Sequence, residues 1–379
     1  MKKIKVLTLL VLFGMQATAQ NTINGSFTFG GQTRTYSFYV PASYNPSKPA
    51  PLVLNLHGYT SNGTQQANYT NFKSIADTAG FIVAHPDGTF DQSNQRFWNY
   101  NIFGATVNDV GFLEALIDTI SANYNINAKR VYSVGMSNGG YMSYYLACQS
   151  NRFAAVGSVT GAMPLYMYAC APTYVTPIIQ MHGTTDPVVP YAGNTTSKPL
   201  EDVVAYWVQK NNCQTTPTIT QVPNTNTTDN ATATHYVYSG GTNGHTVEFY
   251  KITDGGHTWP GGTVALPASG NTCMDFNASK EIWRFFSQYE RSSTTTSLAE
   301  NTLNNITFYP NPTHGVFTLS GEENTAVNLS IYNLQGQLLS ELKNQLLNQE
   351  IDINFLHSGN YILKIENGDF VKILKFVVN

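Results

Sequence analysis

From Gln20 to about Arg291, short apolar runs alternate with longer stretches of helical periodicity. The runs are Tyr36–Val40, Leu52–Leu56, Phe81–Ala84, Val131–Val134, Ala155–Val159, Ile178–Met181 and Val247–Ile252. The helical patterns are roughly Gln65–Ala79, Val107–Tyr124, Gly139–Ser150, Leu200–Asn211 and Asp275–Tyr289. Such alternation predicts an α/β unit with a mostly parallel sheet covered by helices on both faces. The Thr/Asn-rich stretch Thr215–Thr234 reads as a surface loop. Residues 292–300 open on the polar run Ser292–Ser297, which has no core-forming side chains and reads as a linker. From 301 to 379 the period drops to two. Thr307–Tyr309, Val316–Leu319, Val327–Tyr332, Ile351–Phe355, Tyr361–Ile365 and Phe370–Val378 are short strands, and Asn367-Gly368 signals a hairpin between the last two. They predict a small all-β sandwich. It holds no His/Cys/Asp constellation, so no second active site is expected there.

The amino terminus changes the compartment. Lys2, Lys3 and Lys5 precede the apolar stretch Val6–Phe13 and the small-residue site Ala17-Thr18-Ala19, so residues 1–19 read as a cleaved secretory signal. That stretch is too short to span a bilayer, and no later segment is long enough. Loss of the three lysines takes the formal net charge from −3 to −6. A mildly acidic chain has no electrostatic case for binding nucleic acid. Four cysteines in an exported chain suggest two disulfides. Three connectivities are open; Cys148–Cys170 with Cys213–Cys273 is the preferred one, and free buried thiols are the alternative. Their spacing matches no zinc site.

Candidate chemistry centres on Val131-Tyr132-Ser133-Val134-Gly135-Met136-Ser137-Asn138-Gly139-Gly140. An apolar strand feeds a Gly-x-Ser-x-Gly turn and then a helix, which is the context of a nucleophile elbow. Glycines two before and two after Ser137 let the turn tighten and push the hydroxyl out of the sheet. Serine is a weak nucleophile and needs a base, which in turn needs an orienting acid. Both appear downstream past strand ends: Asp186 in His182-Gly183-Thr184-Thr185-Asp186, and His257 in Asp254-Gly255-Gly256-His257. Asp109 and Asp202 are rival acids, but each opens a helical pattern, where a carboxylate favours the N-terminus. His57 and His182 read as loop-holding, His235 and His245 as surface residues. Trp98 and Trp259 are candidate walls of a substrate pocket, with buried packing as the alternative. This chemistry calls for no metal and no other cofactor.

The run Pro51–Leu56 followed by His57-Gly58-Tyr59 resembles the oxyanion loop of α/β-hydrolases, with the N–H groups of Tyr59 and Asn138 as expected donors. More widely, the first unit resembles the polyhydroxybutyrate depolymerase/feruloyl esterase family of secreted α/β-hydrolases. The carrying residues are Leu56-His57-Gly58, Pro86-Asp87-Gly88, Asn108-Asp109-Val110-Gly111-Phe112, Arg130–Gly140, His182–Tyr191 and Gly256–Pro260. The resemblance implies Ser137, Asp186 and His257 as a triad. Tyr59 departs from the cysteine many members carry, a change that a backbone donor survives. The tail is similar to the C-terminal sorting domain of type IX secretion, on Tyr309-Pro310-Asn311-Pro312, Gly315, Ile331–Gly336, Ser358–Leu363 and Lys372–Val378. That implies export, then release or surface attachment. The implied function is a monomeric secreted serine esterase acting on feruloyl or acetyl esters of plant cell-wall polysaccharide. A polyhydroxyalkanoate depolymerase and a non-catalytic surface-binding protein are the alternatives.

Overall fold

The computed structural model describes residues 21–102, 105–165, 175–262, 264, 267–291, 306–321, 325–333, 337–367 and 370–379. The expected signal and linker lie outside them. The chain divides into two compact units, Met1–Ser292 and Ser293–Asn379.

The first unit runs β1 (Asn21–Phe29), β2 (Gln32–Val40), β3 (Ala50–Leu56), α1 (Gly63–Thr70), α2 (Phe72–Ala79), β4 (Ile82–Pro86), β5 (Thr89–Phe90), β6 (Arg96–Phe97) and α3 (Asp109–Ser121). It continues with β7 (Ile126–Met136), α4 (Asn138–Gln149), β8 (Ala155–Val159), β9 (Ile178–Gly183), α5 (Leu200–Lys210), β10 (Thr218–Gln221), β11 (Thr232–Tyr238), β12 (Val247–Thr253) and α6 (Ala278–Phe286). Ten strands share one sheet in the order β1-β2-β4-β3-β7-β8-β9-β12-β11-β10. The stretch from β4 to β12 is parallel. Antiparallel strands close both ends.

The parallel strands are apolar throughout because both of their faces are covered. In β3, Leu52, Leu54 and Leu56 pack in one core layer with Leu116, Met142 and Trp207 from α3, α4 and α5. Val53 points to the other layer, with Phe72 of α2 and Phe285 and Phe286 of α6.

The edges differ from expectation. β1 is half-exposed and alternating, and β10 is fully exposed, so neither shows an apolar run. Part of the expected loop Thr215–Thr234 is therefore strand, held by main-chain pairing with β11. The helix expected over Gln65–Ala79 is broken at Asn71. This residue is left-handed (φ 49) and its N–H closes α1 onto the Ala67 carbonyl. His245 is buried, not a surface residue.

The Cys213–Cys273 pairing is incorrect. Both are free thiols, and they lie in separate apolar clusters, Cys213 beside Trp207 and Val247, Cys273 beside Ala231 and Ile252. Cys148 is disulfide-bonded, and Cys170 lies outside the described residues.

The core also contains His85 of β4, with no hydrogen-bond partner for either ring nitrogen among the described residues. Burial pushes it down to about 3, and burial pushes His57 down to about 4. Unfolded histidines titrate near 6.5, so between about pH 6.5 and 4 the unfolded state binds more protons than the fold. Stability should therefore fall as pH drops through that window, by up to about 1.4 kcal/mol per pH unit per histidine. Urea unfolding at about pH 7 and about pH 5 measures this. His85→Phe should reduce the dependence; an unchanged slope in that variant would show that His85 has no part in it.

The second unit contains β13 (Thr307–Tyr309), β14 (Val316–Ser320), β15 (Ala326–Asn333), β16 (Leu338–Leu346), β17 (Glu350–Asp352), β18 (Gly359–Asn367) and β19 (Phe370–Val378). They form two sheets, β13-β14-β17 and β16-β15-β18-β19. Phe317, Leu319 and Ile351 from one pack with Leu329, Leu363 and Phe376 from the other, which makes a sandwich. β16 was not legible in the sequence because it is an exposed edge strand. β18 and β19 pair with Asn367 opposite Phe370, although the turn itself lies outside the described residues.

Candidate active site

β7 ends at Met136 and α4 begins at Asn138, so Ser137 alone makes the turn, at φ 54 and ψ −120. A non-glycine residue held there is strained, and such strain collects at functional sites. Close packing forces the glycines. A Cβ on Gly135 would stand 2.4 Å from the Gly139 carbonyl carbon, and one on Gly139 would stand 2.4 Å from the Leu56 carbonyl oxygen. The Ser137 N–H donates to Val159 of the neighbouring strand (2.8 Å), which anchors the elbow to the sheet.

Asp186 follows β9. Its Oδ1 accepts the N–H groups of Val188 and Val189, both at 2.8 Å. Its Oδ2 accepts Nδ1–H of His257 at 2.8 Å and lies 3.3 Å from Nε2 of His182. Burial alone would raise the carboxyl, but the hydrogen bonds from His182 and His257 outweigh it and hold Asp186 well below the ordinary carboxylate range. His182 braces the loop, since its Nε2–H also reaches the Val189 carbonyl (2.9 Å).

The loop after β12 presents His257. It is tied to the acid loop by the Gly255 carbonyl, which accepts both the N–H (3.0 Å) and the hydroxyl (2.9 Å) of Thr185. A Cβ on Gly183 would stand 2.1 Å from that carbonyl oxygen. With Nδ1–H held by a carboxylate, the imidazole offers Nε2 as its acceptor. Ser137 and His257 line the same cavity, of about 540 Å³, and Ser137 also lines a second one of about 730 Å³.

Tyr59 and Asn138 line the larger cavity together with this serine. A Cβ on Gly58 would stand 3.5 Å from the Ser137 Cβ. Among the described residues neither the Tyr59 nor the Asn138 N–H makes a hydrogen bond. Both positions are fastened to the segment 89–98. The Tyr59 hydroxyl donates to Asp91 (2.6 Å), and the Thr60 N–H donates to the Arg96 carbonyl (2.9 Å). The Asn138 amide oxygen accepts the Trp98 N–H (2.6 Å), and its amide nitrogen donates to the Trp98 carbonyl (3.2 Å). His57 holds the same loop, donating from Nδ1 to the Gly58 carbonyl (2.7 Å) and accepting the Gly88 N–H at Nε2 (2.9 Å).

Two expected pocket residues need correction. Trp98 and Trp259 are fully buried and line neither cavity. An indole N–H needs a partner when buried. Trp98 donates to the His57 carbonyl (3.0 Å) and Trp259 to the Ser279 hydroxyl (3.1 Å), so both brace loops. The rival acids have other roles. Asp109 is buried against Arg34 (2.6 Å), and Asp202 is exposed in the first turn of α5. His235 is half-buried against Glu248 (2.8 Å). The walls that the sequence did not reveal include Phe90, Tyr100 and Tyr141. Tyr141, one helical turn after Ser137, was the only one signalled by spacing.

Asp229, Cys273 and Asp275 are the one group among the described residues whose ligand atoms lie within 4.8 Å of one another. Their carboxylates are already engaged by main-chain N–H groups of Thr225, Asn226, Ala231 and Met274, which is loop stapling. No helix among the described residues is long and apolar enough to cross a membrane.

Two families match this chain. Residues 34–195 match the esterase PHB depolymerase family, and residues 307–379 match the secretion system C-terminal sorting domain. A bifunctional acetylxylan esterase/xylanase of Neocallimastix patriciarum is 28% identical over 270 residues, covering 71% of this chain and 35% of that protein. Feruloyl esterase B of Piromyces equi is 29% identical, covering 45% of this chain and 33% of its own length. A poly(3-hydroxybutyrate) depolymerase of Ralstonia pickettii is 32% identical, covering 39% and 33%. The chain thus spans about a third of the length of these three relatives.

Proposed function

From a chain that carries an esterase domain of the PHB depolymerase family and a secretion sorting domain, we propose an exported serine esterase that works through an acyl-enzyme. The observation that carries this reading is the Asp186–His257 hydrogen bond beside a cavity that His257 shares with a strained Ser137. His257 Nε2 takes the Ser137 proton as Oγ attacks the ester carbonyl. The N–H groups of Tyr59 and Asn138 hold the oxyanion. As the tetrahedral intermediate collapses, His257 gives the proton to the leaving alcohol. Water, deprotonated by His257, then releases the acid and restores Ser137.

The substrate is a carboxylic ester on plant cell-wall polysaccharide, feruloyl or acetyl. The acetylxylan and feruloyl esterases among the relatives support this. A polyhydroxyalkanoate depolymerase is the second reading, favoured by the family match and the Ralstonia relative. The tail directs type IX export and takes no part in catalysis. A chain ending at Arg291 should hydrolyse soluble feruloyl and acetyl esters at close to the full-length rate, faster than hydroxybutyrate oligomers. In the native host it should stay inside the cell envelope. Loss of activity on truncation would assign the tail to the site. Preference for hydroxybutyrate would favour the depolymerase.

A further inference from the structure

The two N–H groups proposed for the oxyanion come from different elements, and the sheet alone does not set their spacing. β3 and β7 stay in register as far as Leu56 opposite Gly135, and Tyr59 and Asn138 each lie three residues beyond. Trp98 joins them past that point. Its indole N–H donates to the His57 carbonyl (3.0 Å) on the Tyr59 side. On the other side its backbone N–H and carbonyl bond the Asn138 side chain (2.6 and 3.2 Å). The next peptide is held by a charge. The Asn99 N–H donates to Asp109 Oδ2 (2.7 Å), and Arg34 of β2 donates to Asp109 Oδ1 (2.6 Å). We infer that Asp109, paired with Arg34, is a positioning residue for the oxyanion hole: it fixes the Trp98–Asn99 segment and, through it, the spacing of the Tyr59 and Asn138 N–H groups. The inference rests on the esterase reading above.

Burial and bonding carry it. Arg34 and Asp109 are both buried. Buried charges are costly unless each is fully bonded, and a pure packing role would be served by an apolar pair of the same volume. Here the two carboxylate oxygens face different groups, so the carboxylate bridges β2 to the Trp98–Asn99 segment. Arg34 lies over the Phe112 ring of α3 (3.7 Å), which limits its movement. It also donates to the Asp87 carbonyl (3.3 Å), and the Gly88 N–H beside that group donates to His57 Nε2 (2.9 Å). Both arms of the oxyanion hole therefore lead back to one ion pair. A ground-state carbonyl tolerates loosely placed donors, whereas the oxyanion needs both at about 2.7–3.1 Å. Releasing the brace should therefore weaken the transition state more than substrate binding.

The test uses the full chain and p-nitrophenyl acetate, with active sites counted by fluorophosphonate titration. Phenylboronic acid, which bonds to a serine oxygen as a tetrahedral adduct, serves as the transition-state mimic. Asp109→Asn keeps the size of the side chain, but its amide nitrogen meets Arg34 or the Asn99 N–H as a second donor. Per titrated site, kcat should fall about 10- to 100-fold while KM stays within about threefold, and the boronate inhibition constant should rise in step with the loss of kcat. Asn138→Ala keeps the main-chain donor and removes only the clamp to Trp98, so it should give the same pattern. A folded Asp109→Asn with wild-type kcat and boronate affinity per site, and only a lower melting temperature, would overturn the inference. A raised KM at constant kcat in either variant would overturn it too. If Asp109→Asn does not fold, wild-type kinetics in Asn138→Ala decides against it. A wild-type chain that neither hydrolyses p-nitrophenyl acetate nor binds phenylboronic acid would instead overturn the serine-esterase reading itself.

Discussion

Replacing Ser137 with alanine should lower kcat/KM for every ester substrate by ~10⁵-fold or more while leaving the fold intact. The elbow survives the change. Gly135 and Gly139 keep their close contacts with Gly139 and Leu56, and an alanine at φ 54 carries the same backbone strain as the serine. Only the hydroxyl is lost. What remains is slow attack by water, assisted by the oxyanion donors and His257. Steady-state kinetics with a circular dichroism melt checks both parts. A folded variant with near-wild-type turnover would move the nucleophile elsewhere.

Asp186→Asn should cost ~10⁴-fold. Its Oδ1 is fixed by the N–H groups of Val188 and Val189, so the amide that replaces the carboxylate will keep oxygen on that side. The NH₂ then faces His257 Nδ1 and His182 Nε2, where Oδ2 accepted before. His257 must turn to the tautomer with Nδ1 as acceptor, which leaves Nε2 protonated and unable to take the Ser137 proton. The Nε2–H of His182 meets a donor as well, so a loss of stability of about 1–3 kcal/mol should accompany the rate loss. Asp202→Asn, exposed at the start of α5, should stay within a few-fold of wild type. The opposite ranking would identify a different acid.

The residues of the candidate site were legible where chemistry and backbone geometry coincide. Gly135 and Gly139 mark a turn that admits no side chain, and Asp186 and His257 follow apolar strands that the sheet aligns. The parallel strands were legible because both of their faces are buried. What escaped was decided by tertiary contacts. β1, β10 and β16 are edge strands with no fully buried residue, so none shows a continuous apolar run. Trp98 and Trp259 are large aromatics near the right motifs, yet their indole N–H groups are used to brace loops. Cys213 and Cys273 are small apolar residues in separate clusters, a use the composition of an exported chain does not reveal. The larger cavity takes its walls from the loop after β3, the β5–β6 hairpin, the loop after it, the first turn of α4 and the segment 188–197, which only the fold brings together.

Covalent capture tests the central claim most directly. The full chain, treated with an aryl fluorophosphonate, digested and mapped by mass spectrometry, should carry one phosphonyl group, on Ser137, with ester hydrolysis lost in step with labelling. Asp186→Asn should label far more slowly. A label on any other serine, or inactivation with Ser137 unmodified, would contradict the account.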